Sequence, residues 1–126
     1  MEKKKVLIID DDVRFTDIVK LNLEKSGKYE IRVENNGGSA VYAAEEFEPG
    51  LILLDIIMPD VSGDVVASRL SASPKTKSIP IVFLTAVVTK EEETSHGGVI
   101  GGKKFVAKPL TAEELMGVIE ENYKAA

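Results

Sequence analysis

Cysteine does not occur in this sequence, which excludes a disulfide framework and a thiolate metal site and is compatible with a cytosolic location. No apolar run approaches the roughly 20 residues that span a bilayer, and residues 1–9 lack the long apolar stretch of a secretory leader. Histidine occurs once, as His96, with no partner to make a metal or phosphodonor pair, so it reads as a surface loop residue. Positive charge is in short supply. The formal net charge of −5 argues against direct nucleic-acid binding and against an anionic membrane surface. The one basic cluster, Lys3, Lys4 and Lys5, is too short to reverse that balance and reads as a solvated approach to a strand; Lys75 and Lys77 read as solvated too. Internal repeats, low-complexity tracts and a linker are also missing, so residues 1–126 read as a single domain.

What is present is an ordinary globular composition, 44% hydrophobic and 29% charged. Apolar runs alternate with helical periods along the whole length. Residues 6–9 form a short β-branched run, the mark of a strand buried on both faces. From Asp12, which suits a helix N-cap, Phe15, Ile18, Val19 and Leu23 recur at helical spacing, and Gly27 follows where a helix should stop. Residues 29–33 alternate as a second strand, and the turn Asn35-Asn36-Gly37-Gly38 leads to a helix over 40–47 closed by Pro49-Gly50. Residues 51–54 are the third strand. A helix starting near Ser62 or Gly63 carries Val65, Val66 and Leu70; the fourth strand covers 81–84 and the fifth 105–107. Thr111 and Glu114 have the spacing of a capping box, opening a last helix with Leu115, Val118 and Ile119 inward. This order is (βα)₅, an α/β fold with right-handed crossovers and a parallel sheet covered on both faces.

In such open sheets ligands bind beyond the carboxyl ends of the strands, at a topological switch point. Four of the five strands end there in a residue that carries chemistry. Asp10 and Asp11 follow the first strand, Asp55 the third, Thr85 the fourth and Lys108 the fifth. Alone, each has an ordinary role: an Asp after a strand caps a helix, Thr85 is a loop residue, and Lys108-Pro109 means little. Together, three carboxylates at one edge call for a cation, and Mg²⁺ is the hard ion that takes oxygen ligands. With that charge offset, one carboxylate can attack phosphorus and form an aspartyl phosphate, while a hydroxyl and an ammonium hold the phosphoryl oxygens.

At these residues the sequence resembles the receiver domain of two-component response regulators, chemotaxis regulators included, and the likeness runs nearly end to end. The segments VLIIDDD at 6–12, LILLDIIMPDVSG at 51–63, IVFLTA at 81–86 and KFVAKP at 104–109 carry it. The resemblance implies a flavodoxin-like, doubly wound five-stranded parallel sheet of order 2-1-3-4-5. It implies that Asp55 is the phosphoacceptor and that Asp11 ligates Mg²⁺ directly, Asp10 largely through water, with the Ile57 backbone carbonyl completing the protein ligands. Thr85 would bond the phosphoryl group, Lys108 would pair with it, Phe105 would stand at the aromatic switch position, and Lys108-Pro109 would be a cis peptide. A sensor histidine kinase or phosphotransfer protein is the implied donor, and a downstream protein or output domain the implied target. The chain would be a cytoplasmic signalling domain, catalysing only its own phosphorylation and dephosphorylation. By the same resemblance, the side chains two residues after the phosphoacceptor and two after the threonine tune hydrolysis. Here they are Ile57 and Val87, both apolar and unable to orient water, so slow dephosphorylation is expected, with Thr85 drawn inward and Phe105 turned in behind it.

One region departs from the family. Between Thr85 and Lys108 a full helix is expected, but residues 89–96 are followed by Gly97-Gly98 and Gly101-Gly102, each glycine costing roughly 1 kcal/mol against Ala inside a helix. The expectation is a short or displaced helix and a flexible connector rather than a phosphate-cradling loop. Two other readings compete. Asp10-Asp11-Asp12-Val13 also resembles the start of haloacid dehalogenase-like phosphatases, with Asp10 as nucleophile, which leaves Asp55, Met58 and Pro59 unused. A pseudo-receiver that binds a partner without taking phosphate is the other; the presence of all five polar residues counts against it.

Overall fold

The computed structural model describes residues 2–86, 91, 99–100, 103–108 and 110–125. The helix expected over 89–96, with His96, and Val87, Pro109 and the paired glycines lie outside the described residues, Glu91 aside.

Six strands form one sheet: β1 (Lys4–Ile9), β2 (Tyr29–Glu34), β3 (Leu51–Leu54), β4 (Ile81–Thr85), β5 (Val99–Ile100) and β6 (Lys103–Ala107). The helices among the described residues are α1 (Val13–Lys25), α2 (Ala40–Phe47), α3 (Gly63–Ala72) and α4 (Ala112–Asn122), with a single 3₁₀ turn at Gly37–Ser39 ahead of α2. The order across the sheet is β2-β1-β3-β4-β6-β5. Its five parallel strands therefore stand in the expected order 2-1-3-4-5. The departure is β5, which pairs antiparallel with β6, Ile100 opposite Lys103 and Val99 opposite Lys104.

Side-chain alternation along the strands builds two cores. On one face Leu7, Ile9, Ile52, Leu54, Phe83 and Phe105 pack under α2 and α3. On the other Val6, Ile8, Leu51, Leu53, Val82 and Leu84 pack with Leu23 of α1 and with Leu115 and Ile119 of α4. β1 contributes to both and is buried on both faces, as its continuous apolar run demands. Ile18 and Val65 share the spacing of their buried neighbours yet face solvent, at 60% and 42% exposure.

Local chemistry fixes the helix ends. Asp12 caps α1 by accepting from the Phe15 N–H, and Thr111 and Glu114 form the reciprocal capping box of α4. The lysine cluster differs from its expected role: β1 begins at Lys4, whose ammonium pairs with Glu120 at 2.6 Å and lies over the Tyr123 ring, while Lys5 sits over Phe47. At this base of the sheet the Tyr29 hydroxyl also donates to Glu120, and the Lys124 N–H donates to the Gly50 carbonyl. No helix among the described residues is long and apolar enough to cross a membrane.

Candidate functional site

β1 pairs with β2 on one side and β3 on the other, so the strand order reverses at β1, and in open sheets ligands bind beyond the carboxyl ends of the strands at such a point. Asp10 lies there, 1% exposed. Its Oδ1 accepts from the Asp12 N–H at 2.9 Å, its Oδ2 from the Lys108 ammonium at 2.5 Å, and its carbonyl from the Asn35 side-chain amide at 2.8 Å. Asp11 is exposed beside it. Asp55 directly follows β3, held by its N–H to the Ile9 carbonyl, and its Oδ1 accepts from the Ile56 N–H at 2.8 Å. Lys108 Nζ stands 3.7 Å from Asp55 Oδ2. The same ammonium lies 4.3 Å from the centroid of the Phe15 ring.

Thr85 is fully buried at the end of β4, in register with Ala107, and its carbonyl accepts from the Lys108 N–H at 2.9 Å. Four of the expected residues, Asp10, Asp11, Asp55 and Lys108, thus meet in one cluster, and Thr85 borders it through the Lys108 backbone. Phe105 is elsewhere: 4% exposed, it belongs to the core on one face of the sheet, in register with Phe83 of β4.

Burial raises the Asp55 carboxyl above the ordinary carboxylate range. The Lys108 ammonium opposes that rise, the Asp10 charge adds to it, and the N–H groups of Ile56 and Ile57 lower it again. The cluster carries three carboxylates against one ammonium, and ligand oxygens of Asp10, Asp11 and Asp55 lie within 4.8 Å of one another. An all-oxygen, net-negative donor set of this kind fits a small hard divalent cation.

The loop after Asp55 is braced from two sides. The Gly63 N–H donates to the Ile56 carbonyl at 2.7 Å, and Met58 tucks into the core, leaving Ile57 60% exposed. Asp60 accepts from the Gly38 N–H at 2.9 Å and from the Gly37 N–H at 3.3 Å, which ties this loop to the turn after β2 and holds its carboxyl below the ordinary range. Asp60 and the ring contact of Phe15 are what sequence reasoning missed. An Asp after Pro59 is an ordinary turn residue, and Phe15 has the spacing of any core position, so neither signal stands out without the fold.

Residues 6–120 match the family model described as the response regulator receiver domain. Protein PilH of Pseudomonas aeruginosa is 34% identical over 119 residues, covering 91% of this chain and 93% of that protein. The DNA-binding dual master transcriptional regulator RpaA of Synechocystis sp. is 34% identical over 112 residues, 89% of this chain but 46% of that protein. This chain spans about half the length of several curated relatives it matches. The Vibrio cholerae chemotaxis protein CheY4 shares the fold with a TM-score of 0.80 at 25% identity, over 96% of this chain and 99% of that one.

Proposed function

Because the chain belongs to the response regulator receiver domain family, we propose that it accepts a phosphoryl group on Asp55 and relays that event to a partner. The observation that carries the proposal is the meeting of the Asp10, Asp11 and Asp55 carboxylates with the Lys108 ammonium beyond the strand ends. An Asp55 carboxylate oxygen attacks phosphorus, and the bond from phosphorus to the donor breaks, with the leaving group keeping the electron pair. The donor is the phosphohistidine of a sensor histidine kinase or of a phosphotransfer protein. Asp10, Asp11, Asp55 and the Ile57 carbonyl would hold Mg²⁺, which when bound offsets the negative charge of the carboxylates and the incoming group.

The remaining steps belong to side chains. Lys108 needs only a short swing from Asp10 toward Asp55 to pair with the phosphoryl oxygens, and the Thr85 hydroxyl donates to another of them. Drawing Thr85 to the phosphoryl group favours an inward position of Phe105, turned in behind the threonine. The downstream target is a separate protein or an output domain, the receiver unit takes in residues 1–126, and its compartment is the cytoplasm.

A phosphatase with Asp10 as nucleophile has less support. Both carboxylate oxygens of Asp10 are engaged, by the Asp12 N–H and by Lys108, and the residue is 1% exposed. The test is to add a small acyl phosphate with Mg²⁺ and weigh the protein. One phosphoryl mass should appear, alkali should remove it, and Asp55→Asn should abolish it. A mass gain that survives Asp55→Asn, or maps to Ser or Thr, overturns the assignment.

A further inference from the structure

We propose that Phe15 is a positioning residue for phosphoryl transfer, its ring holding the Lys108 ammonium in place beside Asp55; this role rests on the reading of Lys108 as the partner of the phosphoryl oxygens. The ammonium lies 4.3 Å from the ring centroid, inside the range over which a ring face attracts a cation. The lysine stem has many rotamers, and a charge on such a stem is well placed only if something other than its final partner restrains it. Asp10 supplies one restraint, at 2.5 Å. The ring supplies the other, and the two differ in kind. Asp10 competes with a phosphoryl group for the ammonium. The neutral ring does not, so Lys108 can leave Asp10 for the phosphoryl oxygens while its contact with Phe15 persists.

Backbone geometry makes the two restraints a single unit. The Asp12 N–H donates to Asp10 Oδ1, and the Phe15 N–H donates to Asp12 Oδ1 at 3.1 Å. One cap at the start of α1 therefore sets both the carboxylate and the ring. The ring is half-buried, lining a groove between α1 and α4 with Val19, Leu110 and Leu115, and that packing limits its rotation. An aliphatic side chain would fill the same space, yet it would offer the ammonium no attraction.

The test uses the full chain and two readouts. The first is the NMR shift of the Lys108 ε-methylene protons, which the ring current of Phe15 should move upfield. The second is the initial rate of Asp55 loading from a small acyl phosphate with Mg²⁺. Phe15→Leu should abolish the upfield shift and slow loading about fivefold, while Phe15→Tyr should restore both. Should Phe15→Leu fail to fold, phenylalanine analogues with successive ring fluorines at position 15 keep size and apolarity while weakening the ring face. Loading should then slow stepwise with fluorine count. A flat response, or wild-type loading in Phe15→Leu with the shift gone, overturns the role of Phe15 alone. A wild type that shows the shift but never loads Asp55 overturns the phosphoacceptor reading and this role with it.

Discussion

A Cβ on Gly63 would lie 2.3 Å from the Asp55 carbonyl oxygen and 2.7 Å from the Ile56 Cα. Both are backbone atoms of the segment that presents the acidic side chain, so they cannot move aside cheaply. Gly63→Ala should destabilise the fold by about 2 to 3 kcal/mol, read from urea unfolding, and should slow Asp55 loading as well. Gly37 is the control: a Cβ there meets Met58 Cε, Val61 O and Val66 Cγ2, each at 3.2 Å, contacts that a small shift relieves. An equal cost at the two positions would contradict the argument.

Asp55 should make stability depend on pH in an unusual direction for a carboxylate. Its folded-state pKa is raised, so its proton stabilises the fold fully below the ordinary carboxylate range, and that contribution is lost as pH rises through the raised value. At neutral pH without divalent ions the ionised side chain is a liability. Asp55→Asn should therefore be more stable than wild type at pH 7 in chelator, and the difference should close as pH falls below the ordinary range. Paired urea titrations from about pH 3 to pH 7 decide it; a less stable Asp55→Asn at pH 7 sinks the claim.

Divalent cations should reverse that liability. Mg²⁺ at 100 times its dissociation constant should add about 2.7 kcal/mol by linkage alone. Asp11→Asn, which removes the exposed ligand and leaves the buried pair intact, should shrink the gain sharply. A wild-type melting temperature indifferent to Mg²⁺ would count against the metal site.

Loss of phosphate from Asp55 should be slow. Hydrolysis needs a water in line with phosphorus, and polar side chains nearby orient it. Ile57 is exposed and can orient none. In the paired variant Ile57→Asn with Val87→Glu, decay of the loaded protein should run about tenfold faster. Equal decay in the two proteins would assign the lifetime to another feature.

Much of this architecture was legible because its signals are local. The α2 helix at Ala40–Phe47, the strand at Leu51–Leu54 and the capping box of α4 each follow from periodicity or cap chemistry within a few residues. Asp10, Asp11 and Asp55 were legible as a set once parallel strands put their ends on one edge. What escaped depends on packing or on a competing pattern. The exposure of Ile18 and the ring contact of Phe15 depend on where α4 and Lys108 lie, and Asp60 finds its partners 22 and 23 residues away. Strand β5 had a signal, since Gly101-Gly102 sits between short runs as a two-residue hairpin connection does. The alternation of strand and helix along the chain points to a connector there instead.

Helix α4 runs between two poles of the molecule. Its capping box lies three residues beyond Lys108, and its far end is fastened where Glu120 meets Lys4 and Tyr29, and where Lys124 meets Gly50. Eleven helical residues make a strut of about 16 Å, and a six-residue strand such as β1 covers about 20 Å. Anything joined beyond Lys124 would therefore start about a sheet's height from Asp55. The base contacts and Lys108 are thus linked by a single helix, which makes α4 a direct covalent route between the foot of the sheet and the acidic cluster.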